Sequence, residues 1–171
     1  GHGKDTVGSI LRRKYGFKQT AFATSLKEAA ALIFGLSPEQ LHGTLEQKEA
    51  TDPRWGLSPR EILQKLGTEV GRTIHPETWI KSAFVHIHAD PGDWVITDVR
   101  YENEALAIRE QGGIIIRVTR PGFGTGRNEE HLSEVPLPEH LVQRTIINDG
   151  SLEELEQKVG VILLSLREKR T

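Results

Sequence analysis

The stretch GHGKDT, at residues 1–6, is followed at once by a helical pattern and decides how the rest of the chain is interpreted. Phosphate-binding loops have the pattern Gly-x-x-x-x-Gly-Lys-Ser/Thr, and Gly3-Lys4 match its end. Glycine lets successive backbone N–H groups turn toward a phosphate, and the helix that follows presents its positive end to the same group. The hexapeptide therefore predicts the second half of such a loop, with Lys4 reaching the outer phosphates.

Two features of the hexapeptide depart from the pattern. Asp5 stands where a magnesium-binding hydroxyl normally follows the lysine, and Thr6 comes one place later. The first glycine and the strand before it would precede residue 1, and the absence of methionine indicates a processed, truncated or partly recorded N-terminus. The alternative is a glycine-containing cap, in which Asp5 and Thr6 only begin a helix.

Composition limits the classes of function. The 171 residues fit one domain, and 22 Lys and Arg against 24 Asp and Glu give a net charge of −2. Such a charge argues against long nucleic acid as a partner, so any anion site must be local. The lack of cysteine excludes disulfides, thiolate zinc sites and a cysteine nucleophile. Without a signal peptide or a run of about 20 apolar residues, we expect a cytoplasmic protein with no membrane partner.

Helical and strand patterns alternate along the chain, which predicts a three-layer α/β fold with a parallel sheet. Ligands of such folds lie at the carboxyl ends of the strands. Residues 43–57 are polar and aperiodic and predict an exposed loop, and residues 120–135 predict a surface loop rich in glycine and charge. The predicted strands are 17–23, 94–98, 114–118 and 144–147, and the main helices are 4–14, a helix capped by Ser25, 59–73, one after Pro76, 101–111 and 151–167.

Asp98 ends an apolar strand, where a second carboxylate of phosphate-binding loop proteins holds magnesium directly or through water. Arg100 follows two places later on the same side of an extended chain, so the two side chains suit a phosphate and its metal. The alternatives are a turn residue for Asp98 or an ion pair between them.

A second group of polar residues lies on the helix predicted over 59–73. Gln64, Thr68 and Arg72 are four residues apart and share one face, which suits a base and a phosphate. Gly67 and Gly71 lie mid-helix at a cost of about 1 kcal/mol each relative to alanine, so either a neighbouring helix or a ligand must approach closely.

Arginines flank or occupy the loop at 120–135. Arg117, Arg120 and Arg127 are placed where a closing lid would bring guanidinium groups onto the charge that develops in phosphoryl transfer. The alternative for each is a solvated surface residue.

Five segments, in this order along the chain, resemble the deoxynucleoside monophosphate kinase family, best represented in bacteriophages. The blocks around residues 63–69 and 98–104 are the most specific, and an aspartate after Gly-Lys is similar to what this family carries. The segments are GHGKDT (1–6), FATSLK (22–27), LQKLGTEVGR (63–72), VITDVRYENE (95–104) and INDG (147–150).

The resemblance implies a single P-loop kinase domain over 1–171, with a helical acceptor-binding region at about 25–90 and a lid at about 120–135. It implies transfer of the ATP γ-phosphate to a deoxynucleoside monophosphate with Mg²⁺, in the host cytoplasm if the chain is phage-encoded. Homodimer formation is left open. The resemblance further implies that the ATP phosphates are bound by Gly1, His2, Gly3, Lys4, Asp5 and Thr6, and the metal by Asp5, Thr6 and Asp98. The acceptor phosphate would be bound by Lys27, Arg72 and Arg100, and its nucleoside by Gln64, Thr68, Glu69, Trp79 and Glu104. The implied catalytic residues are Lys4, Asp98, Arg120 and Arg127.

Two rival functions fit parts of this pattern. Kinases of dephospho-coenzyme A or phosphomevalonate share the loop, the sheet and the Asn148-Asp149-Gly150 ending. A catalytically silent nucleotide-binding module fits the incomplete loop and the acid at position 5.

Overall fold

The computed structural model describes residues 2–122 and 137–168. Its contacts divide the chain into two compact units, one of Gly1–Thr20 with Gly92–Thr171 and one of Ala21–Pro91. In chain order the elements are α1 (Lys4–Tyr15), β1 (Lys18–Thr20), α2 (Ala23–Phe34), α3 (Pro38–His42), α4 (Leu45–Glu49), α5 (Pro59–Gln64), a π-helix (Lys65–Gly71), α6 (Arg72–Ile74), α7 (Thr78–Ala89), β2 (Trp94–Ile96), α8 (Glu102–Glu110), β3 (Ile116–Thr119), a 3₁₀-helix (Glu139–Leu141), β4 (Arg144–Ile147) and α9 (Leu152–Glu168).

The strands of the first unit form two parallel pairs. Lys18 of β1 aligns with Trp94 of β2, and Ile116 of β3 aligns with Arg144 of β4. The mixed α/β prediction is thereby confirmed in its coarse form. One continuous sheet is not formed among the described residues, because β1–β2 and β3–β4 remain separate ladders. The strand predicted before Gly1 lies outside the sequence and stays a prediction.

Helix α1 packs on this unit through one apolar face. Its Ile10 is fully buried, and the same cluster contains Leu11 from α1, Ile146 from β4 and Val159 from α9. The helix ends at Gly16, whose positive φ of 74° lets its N–H bond to the carbonyl of Leu11. Close packing of α1 brings the loop before it to the strand ends.

Residues beyond the strands extend both ladders by one hydrogen bond. The Thr97 N–H donates to the Thr20 carbonyl at 3.2 Å, and the Asn148 N–H donates to the Thr119 carbonyl at 2.7 Å. A side chain at position 8 of α1 would meet the Thr97 methyl group at 2.7 Å, so Gly8 permits this approach. The carboxyl ends of β1 and β2 therefore lie against the second turn of α1.

The second unit is helical, with Ala30, Leu36, Leu41 and Ile62 at its centre. Ser25 was expected to cap its first long helix, but α2 begins two residues earlier, at Ala23. The Ser25 hydroxyl instead accepts a hydrogen bond from Ser82 of α7 at 2.7 Å, which joins two helices. A serine near a helix start is therefore not always its cap.

The prediction of an exposed, aperiodic loop over 43–57 is wrong in two respects. Thr44 caps the short helix α4, and Asp52 is only 4% exposed. Arg54 donates two side-chain hydrogen bonds to Asp52, at 3.0 and 2.6 Å, and Gln40 donates another at 2.9 Å. These bonds hold the pKa of the Asp52 carboxyl well below its ordinary value, with Arg54 as the largest cause.

The same loop closes the C-terminal end of α2. Arg54 also donates to the Gly35 carbonyl at 3.1 Å, and the Trp55 indole N–H donates to the Phe34 carbonyl at 2.9 Å. The last carbonyls of a helix have no partner within it, so these side chains supply the missing donors. The loop is thus a folded part of the unit.

Within residues 2–122 and 137–168, no helix combines the length and the apolar character needed to cross a membrane.

Candidate active site

The hexapeptide is fixed to the carboxyl ends of β3 and β4. The Asn148 side-chain amide donates to the His2 carbonyl at 3.0 Å, and the Arg120 N–H donates to His2 Nδ1 at 3.2 Å. Asn148 directly follows β4 and Arg120 directly follows β3. Gly3 has a φ of 107°, a conformation that favours glycine. Gly1 lies outside the described residues.

The first turn of α1 presents the predicted phosphate-binding side chains. Lys4, Asp5 and Thr6 are all exposed, whereas Val7 and Gly8 are buried. No side chain of Gly3 can cap the helix, so the first N–H groups of α1 are available to an external acceptor. A 12-residue helix with an exposed first turn and a neighbouring lysine is suited to a phosphate.

Asp98 lies two residues beyond β2 in the same unit as the loop. The residue before it, Thr97, packs on Gly8 of α1, so the backbone of Asp98 runs close to that helix. Asp98 is half-buried and Arg100 is exposed. The structure thus brings the loop and both of these predicted residues into one unit.

Glu104 has a structural contact that was not predicted. It is 7% exposed, and its Oε2 accepts the N–H groups of Arg100 at 2.8 Å and Tyr101 at 3.1 Å. The carboxylate therefore caps α8 and shapes the turn that carries Arg100. The predicted role of Glu104 in a nucleoside pocket stays a prediction.

Two of the three arginines predicted near a lid, Arg117 and Arg120, lie among the described residues. Arg127 lies outside the described residues, and Arg120 is exposed at the end of β3. The guanidinium of Arg117 pairs with Glu139 and donates to the Leu137 carbonyl. Arg117 therefore anchors residues 137–139, and its contribution to a lid stays a prediction.

In the second unit, a continuous helical run from Pro59 to Ile74 has π-helical middle turns. It carries four of the residues predicted for the acceptor, which are Gln64, Thr68, Glu69 and Arg72. The Gly67 carbonyl accepts the N–H of Arg72, five residues on, and the indole N–H of Trp79 at 2.9 Å. A side chain at Gly71 would meet the Trp79 ring at 2.5 Å. The mid-helix glycines are therefore explained by a neighbouring side chain, the first of the two alternatives.

The opposite side of this run is open. Gln64, Thr68 and Arg72 are exposed, whereas Gly67 and Gly71 are buried. Glu69 is also exposed and pairs with Lys65 at 3.5 Å. π-Helical turns are rare and often occur at functional sites. The row is thus accessible to a ligand, while Trp79 stabilises the reverse side.

Lys27 lies in α2 beside a residue that sequence reasoning missed. Its Nζ is 3.5 Å from His42 Nδ1, at the end of α3. Desolvation, followed by the positive charges of Lys27 and Lys48, lowers the pKa of His42, which is an exposed residue. The role predicted for Lys27, binding of the acceptor phosphate, stays a prediction.

A comparison with known families shows the family of the chain. Residues 43–159 match the family described as deoxynucleotide monophosphate kinase. The chain belongs to this deoxynucleotide monophosphate kinase family. The matched range includes Gln64, Arg72, Asp98 and Asn148, and the family predicted from the five segments is confirmed.

Relatives of the chain are viral kinases by name. A protein of Acanthamoeba polyphaga mimivirus, provisionally named a deoxynucleotide monophosphate kinase, is 36% identical over 93% of this chain and 89% of its own length. The deoxynucleotide monophosphate kinase of Escherichia phage RB69 is 35% identical over 64% of this chain and 45% of its own length. The deoxynucleoside-5′-monophosphate kinase of Escherichia phage T5 is 32% identical over 66% and 47%. The chain thus spans about half the length of these phage relatives.

Few of the predicted site residues offer ligand atoms for a metal ion. Among the described residues, no cluster of three or more His, Cys, Asp or Glu could hold a metal ion. Asp5, Thr6 and Asp98 offer oxygen atoms, and Mg²⁺ is usually bound by one or two carboxylates together with substrate phosphates. This donor set therefore fits a magnesium ion that arrives with a nucleotide.

Asn148 is the second residue that sequence reasoning did not assign to the site. It belongs to the INDG segment, and its position directly after β4 was the available signal, because ligand-binding residues follow parallel strands. Its side-chain contact with His2 depends on the tertiary structure, and spacing alone does not show it.

Proposed function

We propose that this chain transfers the γ-phosphate of ATP to a deoxynucleoside 5′-monophosphate, giving the diphosphate and ADP with Mg²⁺. The carrying observation is that His2, directly before Gly3 and Lys4, is hydrogen-bonded to the residues that follow β3 and β4, next to the exposed start of α1. Membership of the kinase family gives ATP as the phosphate donor. Neither a different small acceptor nor a silent module is favoured by that membership.

The residues of the first unit would hold the donor. Backbone N–H groups at the start of α1, together with Gly1, His2 and Gly3 of the loop, would donate hydrogen bonds to the anionic phosphates. Lys4 would neutralise charge on the γ-phosphate as it is transferred. Phosphoryl transfer depends on alignment of the reacting groups and on neutralisation of charge more than on covalent assistance. Backbone N–H groups and a lysine can supply both.

Mg²⁺ would be held by Asp5, Thr6 and Asp98, directly or through water, with the nucleotide phosphates completing its ligands. When bound, the ion supplies neutralisation of negative charge between the donor phosphates. Arg120 and Arg127 would contribute guanidinium groups to the transferred phosphate.

Positive and polar side chains would hold the acceptor. Lys27, Arg72 and Arg100 would bind its phosphate, since each carries a positive charge. The exposed Gln64 and Thr68 would face the nucleoside. Glu69 and Glu104 are also proposed to contact the nucleoside. Trp79 packs on the reverse side of the helical run and would support the row instead of stacking on the base.

A coupled ADP-release assay over all common ribo- and deoxynucleoside monophosphates tests the proposal. We expect turnover with at least one deoxynucleotide. Inactivity toward every deoxynucleotide in the full-length protein, or activity confined to dephospho-coenzyme A or phosphomevalonate, would refute it. Binding of ATP without any turnover would support the silent module.

Two variants separate donor and acceptor roles. Lys4→Ala should lower kcat by about 100-fold or more, since it removes charge that stabilises the transition state. Arg72→Ala should chiefly raise the acceptor KM. Lys14→Ala, on the same helix as Lys4, and Arg60→Ala, on the same helical run as Arg72, are matched controls. Both control side chains form surface ion pairs, so their replacement should leave the kinetics unchanged.

A further inference from the structure

Asn148 makes two hydrogen bonds that join three parts of the first unit. Its backbone N–H donates to Thr119 at the end of β3, at 2.7 Å, and its side-chain amide donates to the carbonyl of His2, at 3.0 Å. Its own position is fixed by β4, which ends at Ile147. The residue thus connects both strand ends to the predicted phosphate loop.

The bond to His2 fixes the direction of a backbone donor. The His2 carbonyl and the Gly3 N–H belong to one peptide unit, which is planar and trans, so the two groups point in opposite directions. With the carbonyl held toward Asn148, the Gly3 N–H must point away from Asn148. A phosphate-binding loop depends on the direction of such N–H groups.

The space above Gly3 is occupied by the same side chain. A Cβ at Gly3 would lie 2.5 Å from Asn148 Nδ2, and the φ of 107° is itself unfavourable for other residues. The glycine and the asparagine are therefore complementary. In contrast, the bond from Arg120 to His2 holds the imidazole, whose side-chain torsions separate it from the peptide unit.

We propose that Asn148 is a positioning residue for ATP binding, which orients the Gly3 peptide unit of the phosphate loop from the end of β4. The inference rests on the proposed function for its kinetic consequences, but it concerns only the donor side. Without the amide, the peptide unit can rotate and present its carbonyl oxygen to an anionic phosphate.

Asn148→Asp and Asn148→Ala test this role. Aspartate keeps the size of asparagine but has no N–H, so it cannot donate to His2. Loss of one such bond should raise the KM for ATP by about five- to tenfold, with the KM for the deoxynucleotide unchanged. The Kd of a fluorescent ATP analogue, measured without acceptor, should rise by the same factor.

Asp149→Asn is the matched control. Asp149 is the next residue, and its carboxylate pairs with Lys158 at 2.5 Å on the surface. This variant alters the same turn without touching the loop, so its ATP-analogue Kd should equal that of the wild type. Thermal melts of all three variants identify any that do not fold, and the isosteric Asn148→Asp then carries the test.

The result that would overturn the proposal is an Asn148→Asp protein that folds and binds the ATP analogue as the wild type does. An equal rise of both KM values would also overturn it, since a general packing defect would explain that. If the wild type phosphorylates no deoxynucleotide, the proposed function fails, while the analogue Kd values still decide the role of Asn148.

Discussion

Replacing Gly71 with alanine tests how the second unit supports the exposed row of Gln64, Thr68 and Arg72. A methyl group at position 71 would lie 2.5 Å from Cζ2 and 2.8 Å from Cε2 of Trp79. Carbon atoms pack best at about 3.5–4.0 Å, so the indole must move by about 1 Å. Its N–H bond to the Gly67 carbonyl, at 2.9 Å, would then be strained or lost.

The sign of the effect depends on three contributions to the free energy of unfolding. Alanine gains about 1 kcal/mol over glycine within a helix. Overpacking against the rigid indole costs about 1–3 kcal/mol. Loss of the indole hydrogen bond costs about 1 kcal/mol more. We therefore expect Gly71→Ala to lower the free energy of unfolding by about 1–3 kcal/mol, although helix propensity alone would raise it.

The assay is urea unfolding followed by far-UV circular dichroism, with Gly67→Ala as the matched variant. A methyl group at Gly67 would meet Cδ2 of Leu26 at 2.9 Å, and that flexible side-chain end can turn away. Gly67→Ala should therefore stay within about 1 kcal/mol of the wild type. Trp79→Phe combined with Gly71→Ala should cost less than the two single changes together, because the smaller ring leaves room for the methyl group.

A Gly71→Ala protein as stable as the wild type, or more stable, would refute this packing argument. Strict additivity of Gly71→Ala and Trp79→Phe would refute it as well, because residues in contact must show coupling. Either result would show that the Trp79 ring does not support the row of Gln64, Thr68 and Arg72.

Three further predictions concern single side chains of the second unit. Asp52→Asn should be less stable than the wild type at neutral pH, because folding lowers the pKa of Asp52, chiefly through hydrogen bonds from Arg54. The difference in Tm between the two proteins should narrow as the pH falls below 3.8, and a difference independent of pH would contradict this. His42 should titrate below 6.5 by NMR because of desolvation and nearby positive charge, and Lys27→Gln should raise its pKa only in part; an unchanged pKa would exclude Lys27 as a cause. Ser58→Ala should lower the free energy of unfolding by about 1 kcal/mol in urea, since the hydroxyl caps α5; equal midpoints would show that the cap is dispensable.

The start of α5 shows what could be predicted from sequence. The hydroxyl of Ser58 accepts the Glu61 N–H at 3.2 Å, and the Glu61 carboxylate accepts the Ser58 N–H at 2.7 Å, as the capping pattern predicts. All partners of this motif lie within four residues. Local motifs of this kind carry their own structural information, and the final helix with its cap at Ser151 follows the same rule.

The loop over residues 43–57 shows what could not be predicted. Its polar composition predicted exposure, but Asp52 is buried by Arg54 within the loop and by Gln40 twelve residues earlier. A buried carboxylate is acceptable when charged and polar donors surround it. That compensation depends on the positions of α2 and α3, which periodicity does not give.

The candidate site follows the same division. Spacing predicted the residues of the hexapeptide and the row of Gln64, Thr68 and Arg72 as site residues, because each group is local in sequence. Asn148 and His42 were not assigned, since the contact of each with a predicted residue spans a long stretch of chain, from His2 to Asn148 and from Lys27 to His42. Spacing in the sequence therefore predicts groups that are local along the chain, whereas contacts across the fold, such as that of Asn148 with His2, require the structure.

Gly3 of the first unit and Gly71 of the second are restricted for different physical reasons, and the difference matters for the proposed function. Gly71 has helical backbone, so only the Trp79 ring prevents a side chain there, and a smaller ring should restore tolerance. Gly3 is restricted twice, by Asn148 and by its φ of 107°. Removing Asn148 clears the space but leaves the backbone strain, so Gly3→Ala should remain harmful in that background. The predicted phosphate loop therefore depends on a backbone conformation at Gly3 that no change in packing replaces.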